Sequence, residues 1–201
     1  MVAQLVLASA SPRRRELLDQ LGVDYLCEPA HIDEMPVPGE APADYVQRMA
    51  REKAEAVAAR YPAPEFLVLA ADTTVIIDDD VLGKPQDHFH GLAMLARLSG
   101  RSHCVLTGVC LQHAGGASCE LVETRVEFMQ LTREICEAYL ATGEPWDKAG
   151  AYAIQGLGSA FVRSIEGSYS NVVGLPLAET WQLLASQGIK TALETVDKEG
   201  A

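Results

Sequence analysis

Long hydrophobic runs are missing from this 201-residue sequence. None approaches the ~20 consecutive apolar residues that a helical membrane span needs. The N-terminus lacks a basic stretch leading into an apolar core and a small-residue cleavage site, so no signal peptide is expected and the chain reads as cytoplasmic. Cysteine is sparse and odd in number: five, none in C-x-x-C spacing. That argues against a disulfide framework or a structural zinc site and predicts buried thiols in a reducing compartment. Basic residues are also in deficit. Lys and Arg number 16 against 28 Asp and Glu, for a formal net charge of -12. Affinity for nucleic acid comes from neutralising phosphates, so a chain of this charge repels it as a whole. A basic cluster is therefore a local exception.

One such cluster exists, in "LASASPRRRELL". Residues 2–7 read as a buried strand, Ser11 as a helix cap and Pro12 as its first turn. Arg13, Arg14 and Arg15 then stand where the helix dipole already places positive charge. A helix start with its N–H groups exposed is an anion site. Ser9 and Ser11 add hydroxyls, and the arginines add planar forks that match phosphate oxygens. The alternative is pairing with nearby acids such as Glu16 or Asp19.

Apolar residues at 48% and charged residues at 22% are ordinary for a globular chain. We expect one domain over residues 1–190, followed by a tail over 191–201. The first helix should end at Gly22, with a short strand over 23–27. Residues 31–43, rich in proline, should be a loop. Pro42 opens a long helix to about residue 60, burying Val46, Met49, Ala50, Ala54 and Val57. The apolar run 66–71 suits a strand of a mainly parallel sheet, ending in Asp72-Thr73-Thr74. Asp78, Asp79 and Asp80 read as a solvated turn. Further along we expect a helix over 87–98, strands over 103–113 and 118–128 joined at Gly115-Gly116, a helix capped by Thr132, a close-approach loop over 150–158, a strand over 160–165 and a last helix from Pro176. The order predicts a mixed α/β sheet. Ligands in such sheets bind outside the carboxyl ends of strands, and two strands lead into chemistry, at 9–14 and at Asp72.

Other polar residues are weaker signals singly. Lys53 inside the long helix and Lys84 in "VLGKPQD" read as surface lysines when taken alone. Asp72 stands out because an unpaired charge on a buried strand is costly. Glu34 in the Pro-rich loop carries no signal of its own. The H-x-H pair His88 and His90 does not share a helix face, and Trp146 is expected to pack in the interior rather than stack on a base.

Taken in order, "LASASPRRRELL", "REKAEAVA", "AADTTV", "LGKPQD", "TGEPWDKAGAYAIQGLG" and "IEGSYSNVVGLPL" resemble the Maf-like nucleoside triphosphate pyrophosphatases over residues 7–177. The resemblance implies an α/β fold of two lobes flanking a deep cleft, like that of inosine triphosphatases, and a homodimer. It implies hydrolysis of a nucleoside triphosphate to the monophosphate and pyrophosphate with a divalent metal cation, Mg²⁺, Mn²⁺ or Co²⁺. It further implies that Asp72 is the catalytic acid group, with Lys53 and Lys84 beside it. Ser9, Arg13, Arg14, Lys53 and Lys84 hold the triphosphate, Thr73 binds substrate with them, Gln155 reads the base, and Glu34 joins Asp72 at the metal. No nucleic-acid or membrane partner follows from it.

The chemistry agrees with those roles. Fixed cations stabilise charge that grows on the leaving pyrophosphate. A free aspartate is a weak base at neutral pH, and a metal lowers the pKa of water enough to remove most of that difficulty. One branch of the family resembles dTTP/UTP enzymes, the other 7-methyl-GTP enzymes, in which positions matching Arg13, Thr73 and Gln155 tend to be Trp, Gln and Glu. Arg, Thr and Gln fit the first branch, including modified uridine triphosphates. A glutamine amide donates and accepts, so it can pair with both the N3–H and a carbonyl of uracil or thymine. A methylated guanine is cationic and suits a tryptophan face and a carboxylate. The 7-methyl-GTP reading, and a nucleotide-sensing regulator of cell division, are the alternatives.

Overall fold

The computed structural model describes residues 3–61 and 63–193. Residue 2 of the first expected strand and residues 194–201 of the expected tail lie outside the described residues. Among the described residues no helix is long and apolar enough to cross a membrane.

The strands are β1 (Gln4–Leu7), β2 (Tyr25–Cys27), β3 (Phe66–Ile77), β4 (Asp80–Leu82), β5 (Ser102–His113), β6 (Gly116–Phe128) and β7 (Val162–Glu166). They form one mixed sheet in the order β2-β1-β3-β5-β6-β7, with β4 paired to β3. The β1 pairs to β2 and β3 are parallel, and the β3–β4 and β6–β7 pairs antiparallel. The helices are α1 (Pro12–Gln20), α2 (Pro42–Ala58), α3 (His88–Leu98), α4 (Arg133–Ala141), α5 (Tyr169–Val173) and α6 (Leu177–Ser186), with 3₁₀ turns at Ala149–Ala151 and Leu157–Phe161. The expected elements are present; β4 and α5 are additional, too short for periodicity to reveal.

The described residues fall into two compact units. The first takes in the chain up to Asp72, Gly108–Leu121 and the chain from Gly174; the second takes in Thr73–Thr107 and Val122–Val173. In the first, α2 buries Val46, Met49, Ala50, Ala54 and Val57, as its 3.6-residue period requires. Ala50, Ala54 and Val57 cluster with Val6, Ala8, Val68, Ala70 and Cys110. Four alanines in that cluster bring the helix close to the strands. Gly108 extends the close approach, since a Cβ there would lie 2.7 Å from the Val46 carbonyl oxygen. In the second unit, Phe128 and Tyr152 pack edge to face at 4.8 Å, and His103 meets both edge to face. Burial holds His103 down to about 4, so it is a neutral core residue bonded to the Tyr152 hydroxyl at 2.8 Å.

Three expectations fail here. The cysteines are not five buried thiols. Cys110 and Cys119 form a disulfide with Cα atoms 4.1 Å apart, Cys27 is exposed and Cys104 half-buried; Cys136 alone is a buried thiol. The reason is strand register. The hairpin turns at Ala114 and Gly115, one residue earlier than expected. A two-residue turn sets 113 against 116, and counting three residues back along each strand sets 110 against 119, the two positions the disulfide joins. Cross-strand pairing of this kind leaves no C-x-x-C trace. Trp146 is 37% exposed rather than packed away. Ser11 occupies the N-cap of α1, yet its side chain makes no capping bond; its own N–H bonds the Ser9 hydroxyl instead.

Candidate active site

The strand carrying Asp72 does not stop there, as the sequence suggested; β3 continues to Ile77. What stops is its neighbour. β1 pairs with β3 only as far as Leu7 beside Leu69, with one more bond from the Ala8 N–H to the Leu69 carbonyl. Asp72 therefore stands past the carboxyl end of β1 while its own backbone remains in the ladder. A buried strand thus holds a carboxylate rigidly at the sheet's open end. Val68, Ala70 and Asp72 alternate onto the face covered by α2, and α2 answers with Lys53.

Lys53 is 8% exposed and Asp72 likewise 8%. The Lys53 ammonium lies 2.7 Å from Asp72 Oδ1 and 3.0 Å from Glu34 Oε1. Two carboxylates from distant parts of the chain thus converge on one buried cation, which contradicts the reading of Lys53 as a solvated surface lysine. Glu34, itself exposed, is brought there by α2. The Tyr45 hydroxyl donates to the Glu34 carbonyl at 3.0 Å. Arg48 donates to the Met35 carbonyl at 3.2 Å and to Glu40 at 2.6 and 2.7 Å. Burial first, then the charges of Asp72 and Glu34, push Tyr45 up to about 12, so it remains a donor at neutral pH. Arg48 holds the Glu40 carboxyl down to about 2. The Pro-rich loop is thereby moored at three points.

At the start of α1, Arg14 Nε donates to the Gly174 carbonyl at 2.8 Å, and Nη1 reaches the Ser9 hydroxyl at 3.4 Å. Burial lowers the pKa of Arg14; Asp72 and Glu34 oppose that, and Arg13 adds to it. Arg14 therefore feels the charges of the Lys53 cluster, and an arginine stays charged throughout. Arg13 is half-buried beside it. Ser9, Arg13, Arg14, Glu34, Lys53 and Asp72 all belong to the first unit.

Thr73, Lys84 and Gln155 belong to the second unit. Thr73 Oγ1 lies 2.9 Å from Thr107 Oγ1. Lys84 is exposed just after β4, and Gln155 is exposed between the two 3₁₀ turns. Glu144 braces the Gln155 segment: its carboxylate accepts the Leu157 and Gly158 N–H groups at 2.9 and 3.1 Å and the Tyr139 hydroxyl at 2.7 Å. A Cβ on Gly156 would sit 2.3 Å from that carboxylate, so a larger residue there would push Glu144 away from its present position. Burial raises Glu144, but those hydrogen bonds and Lys148 outweigh it and hold it below its ordinary value.

Sequence reasoning missed Tyr45, Arg48, Thr107, Glu144 and Asn171. The last two lie in motifs that carried the family resemblance, but each acts through a contact rather than through a pattern. Among the described residues, no three His, Cys, Asp or Glu side chains gather as a ready metal cage. Two carboxylates converging on one point still suit a hard cation that takes its remaining ligands from phosphate oxygens and water. Glu34 and Asp72 are the carboxylates of this site that would supply such oxygens, each already bonded through one oxygen to Lys53.

Residues 4–187 match the family model described as "Maf-like protein". The chain is 56% identical to the dTTP/UTP pyrophosphatase of Anaeromyxobacter sp. (strain Fw109-5), over 94% of this chain and 91% of that one. It is 50% identical to the dTTP/UTP pyrophosphatase of Methylobacillus flagellatus, over 94% of each. Among solved structures it is similar to a HAM1 protein from Coxiella burnetii, with 17% identity and a TM-score of 0.47 over 92% of this chain and 99% of that one. With the family model spanning nearly its whole length and relatives at half identity or better, the chain belongs to the Maf-like protein family.

Proposed function

We propose that this chain hydrolyses dTTP and UTP to the nucleoside monophosphate and pyrophosphate. The observation that carries the reading is the buried Lys53 held between Asp72 and Glu34, with Arg14 electrostatically linked to both acids. The relatives' names support the same reaction.

In this reading the start of α1, with Ser9, Arg13 and Arg14, binds the polyphosphate. Lys53 and Lys84 stabilise charge growing on the departing pyrophosphate. Asp72, fixed by its strand and by Lys53, orients the attacking water and accepts its proton. Glu34 and Asp72 hold the divalent cation, which when bound neutralises polyphosphate charge and acidifies water. Thr73 and Gln155 contact the nucleoside, and the Gln155 amide matches both a carbonyl and an N–H of uracil or thymine. The reading includes a homodimer acting in the cytoplasm, which sedimentation of the purified chain tests for its stoichiometry.

The experiment is pyrophosphate release from dTTP, UTP, CTP, GTP, ATP and 7-methyl-GTP with Mg²⁺, Mn²⁺ or Co²⁺, and with chelator. We expect dTTP and UTP to lead and chelator to abolish release. Absence of release from both, with every cation, overturns the proposal; faster turnover of 7-methyl-GTP overturns the base assignment. Gln155→Glu should lower the UTP to 7-methyl-GTP ratio of kcat/KM by about tenfold or more, the cost of a mismatched pair.

A further inference from the structure

Thr107 is wholly buried on β5, in the second unit. Its hydroxyl makes two contacts, 3.1 Å to the Asn171 backbone carbonyl and 2.9 Å to the Thr73 hydroxyl. A hydroxyl has one proton and two acceptor positions, whereas a carbonyl can only accept. Both contacts are hydrogen bonds under one arrangement alone. Thr107 gives its proton to Asn171, and Thr73 gives its proton to Thr107. No water reaches Thr107 to relieve the alternative, so a reversed chain would leave a buried carbonyl unpaired.

Asn171 is itself fixed. Its Nδ2 donates to the Val105 carbonyl at 3.1 Å and to Thr124 Oγ1 at 2.9 Å, and its backbone N–H donates to Ser168 Oγ at 3.2 Å. Thr124 in turn donates to the Ser168 carbonyl and accepts from the Ser168 N–H. The turn before it needs Gly167, whose φ is +124° and where a Cβ would lie only 2.9 Å from Thr124 Oγ1. The "EGSYSN" segment thus aims one carbonyl at Thr107.

We infer that Thr107 and Asn171 are positioning residues that fix the polarity of the Thr73 hydroxyl: its proton is committed to Thr107, so any other group that meets this hydroxyl, substrate included, must be a donor. This rests on the proposal that Thr73 touches the nucleoside. Its consequence is a selectivity rule: the group facing Thr73 must be a donor. dTTP and UTP share two such donors, the base N3–H and the sugar 3′-hydroxyl. CTP presents a lone pair at N3, and 3′-deoxy-UTP lacks the hydroxyl. Alternation along β3 turns Thr73 to the opposite pleat from Asp72, which suits recognition rather than phosphate chemistry.

The test measures kcat/KM for UTP, CTP and 3′-deoxy-UTP in wild type, Thr107→Val, Thr107→Ser and Thr73→Val. Thr107→Val keeps shape and removes the proton relay, and Thr107→Ala replaces it if folding fails. We expect Thr107→Val to lower either the UTP:CTP or the UTP:3′-deoxy-UTP ratio about fivefold, the worth of one hydrogen bond. Thr107→Ser should retain it, and the ratio that moves identifies the donor. If Thr73→Val lowers a ratio and Thr107→Val lowers neither, the polarity lock is overturned while the role of Thr73 stands. If Thr73→Val lowers neither, both are overturned. Equal loss on all three substrates in Thr107→Val, or the same loss in Thr107→Ser, means a packing role and also overturns the lock.

Discussion

The charged cluster around Lys53 and the hydroxyl chain around Thr107 solve the same problem by different physics. Both hold a partly or wholly buried polar group in one orientation. Around Lys53 the means is opposite charge: one ammonium within 3.0 Å of two carboxylates. Around Thr107 it is the direction of two protons between neutral oxygens. Coulomb attraction has little angular preference, so the first arrangement can exchange partners when a polyphosphate and a metal arrive. Hydroxyl chains are directional and buried, so the second cannot reverse without stranding a carbonyl. Adaptable charge suits the reacting phosphates, and fixed polarity suits reading a nucleoside.

The largest effect should come from Asp72→Asn. The amide keeps the shape and loses the charge and basicity, while Lys53 keeps Glu34. Nucleotide binding, followed by calorimetry, should persist, and pyrophosphate release should fall about 10³-fold, within the usual span for a positioned base. Turnover within tenfold of wild type rejects the role of Asp72 and removes the chemical half of the comparison.

Lys53→Met comes next. It leaves the Asp72 carboxylate buried without its nearest cation, and breaking a buried pair typically costs about 3 kcal/mol. The double variant with Asp72→Asn should lose less than the sum of the single changes, because each removes the other's partner. Chemical denaturation of the four proteins measures the coupling. Strict additivity means the pair does not hold the site, and the charged cluster is then no counterpart of the hydroxyl chain.

How much of this is legible in the sequence follows the same division. The long helix with its buried stripe, the 66–71 strand and the arginines at a helix start are readable because periodicity and caps are local. Even so, the sequence puts Asp72 at the end of its strand; the end that matters belongs to β1, and only register shows it. Cys110 and Cys119 escape for the same reason, since a one-residue shift of the hairpin turn decides whether they meet. Lys53 reads as surface because its two acids lie 19 residues either side, at Glu34 and Asp72. Thr107 is invisible, a buried threonine among strand residues, and gains meaning only from the carbonyl it faces. The proposed site residues come from ordered motifs, while the residues that orient them come from contacts.

The smallest effect concerns Glu144, a charge that braces the segment carrying Gln155. Its folded pKa is depressed relative to 4.5. The stabilisation it gives is therefore complete above that ordinary value and is lost as pH falls through the lower folded one. Glu144→Gln keeps one acceptor but sets an amide N–H against backbone donors, so about 1 kcal/mol should be lost at pH 7. The melting temperature of wild type should drop more steeply than that of the variant as pH falls below 4.5, and the two should approach each other once pH is below the folded value. The kcat/KM for UTP should fall about threefold through a looser Gln155 segment. Thr107→Val, by contrast, removes a group with no charge to titrate, so its selectivity change should be the same across that pH range wherever activity can be measured. A pH-dependent change in Thr107→Val, or a flat melting profile in wild type, would show that charge and hydroxyl direction are not separate devices in this protein.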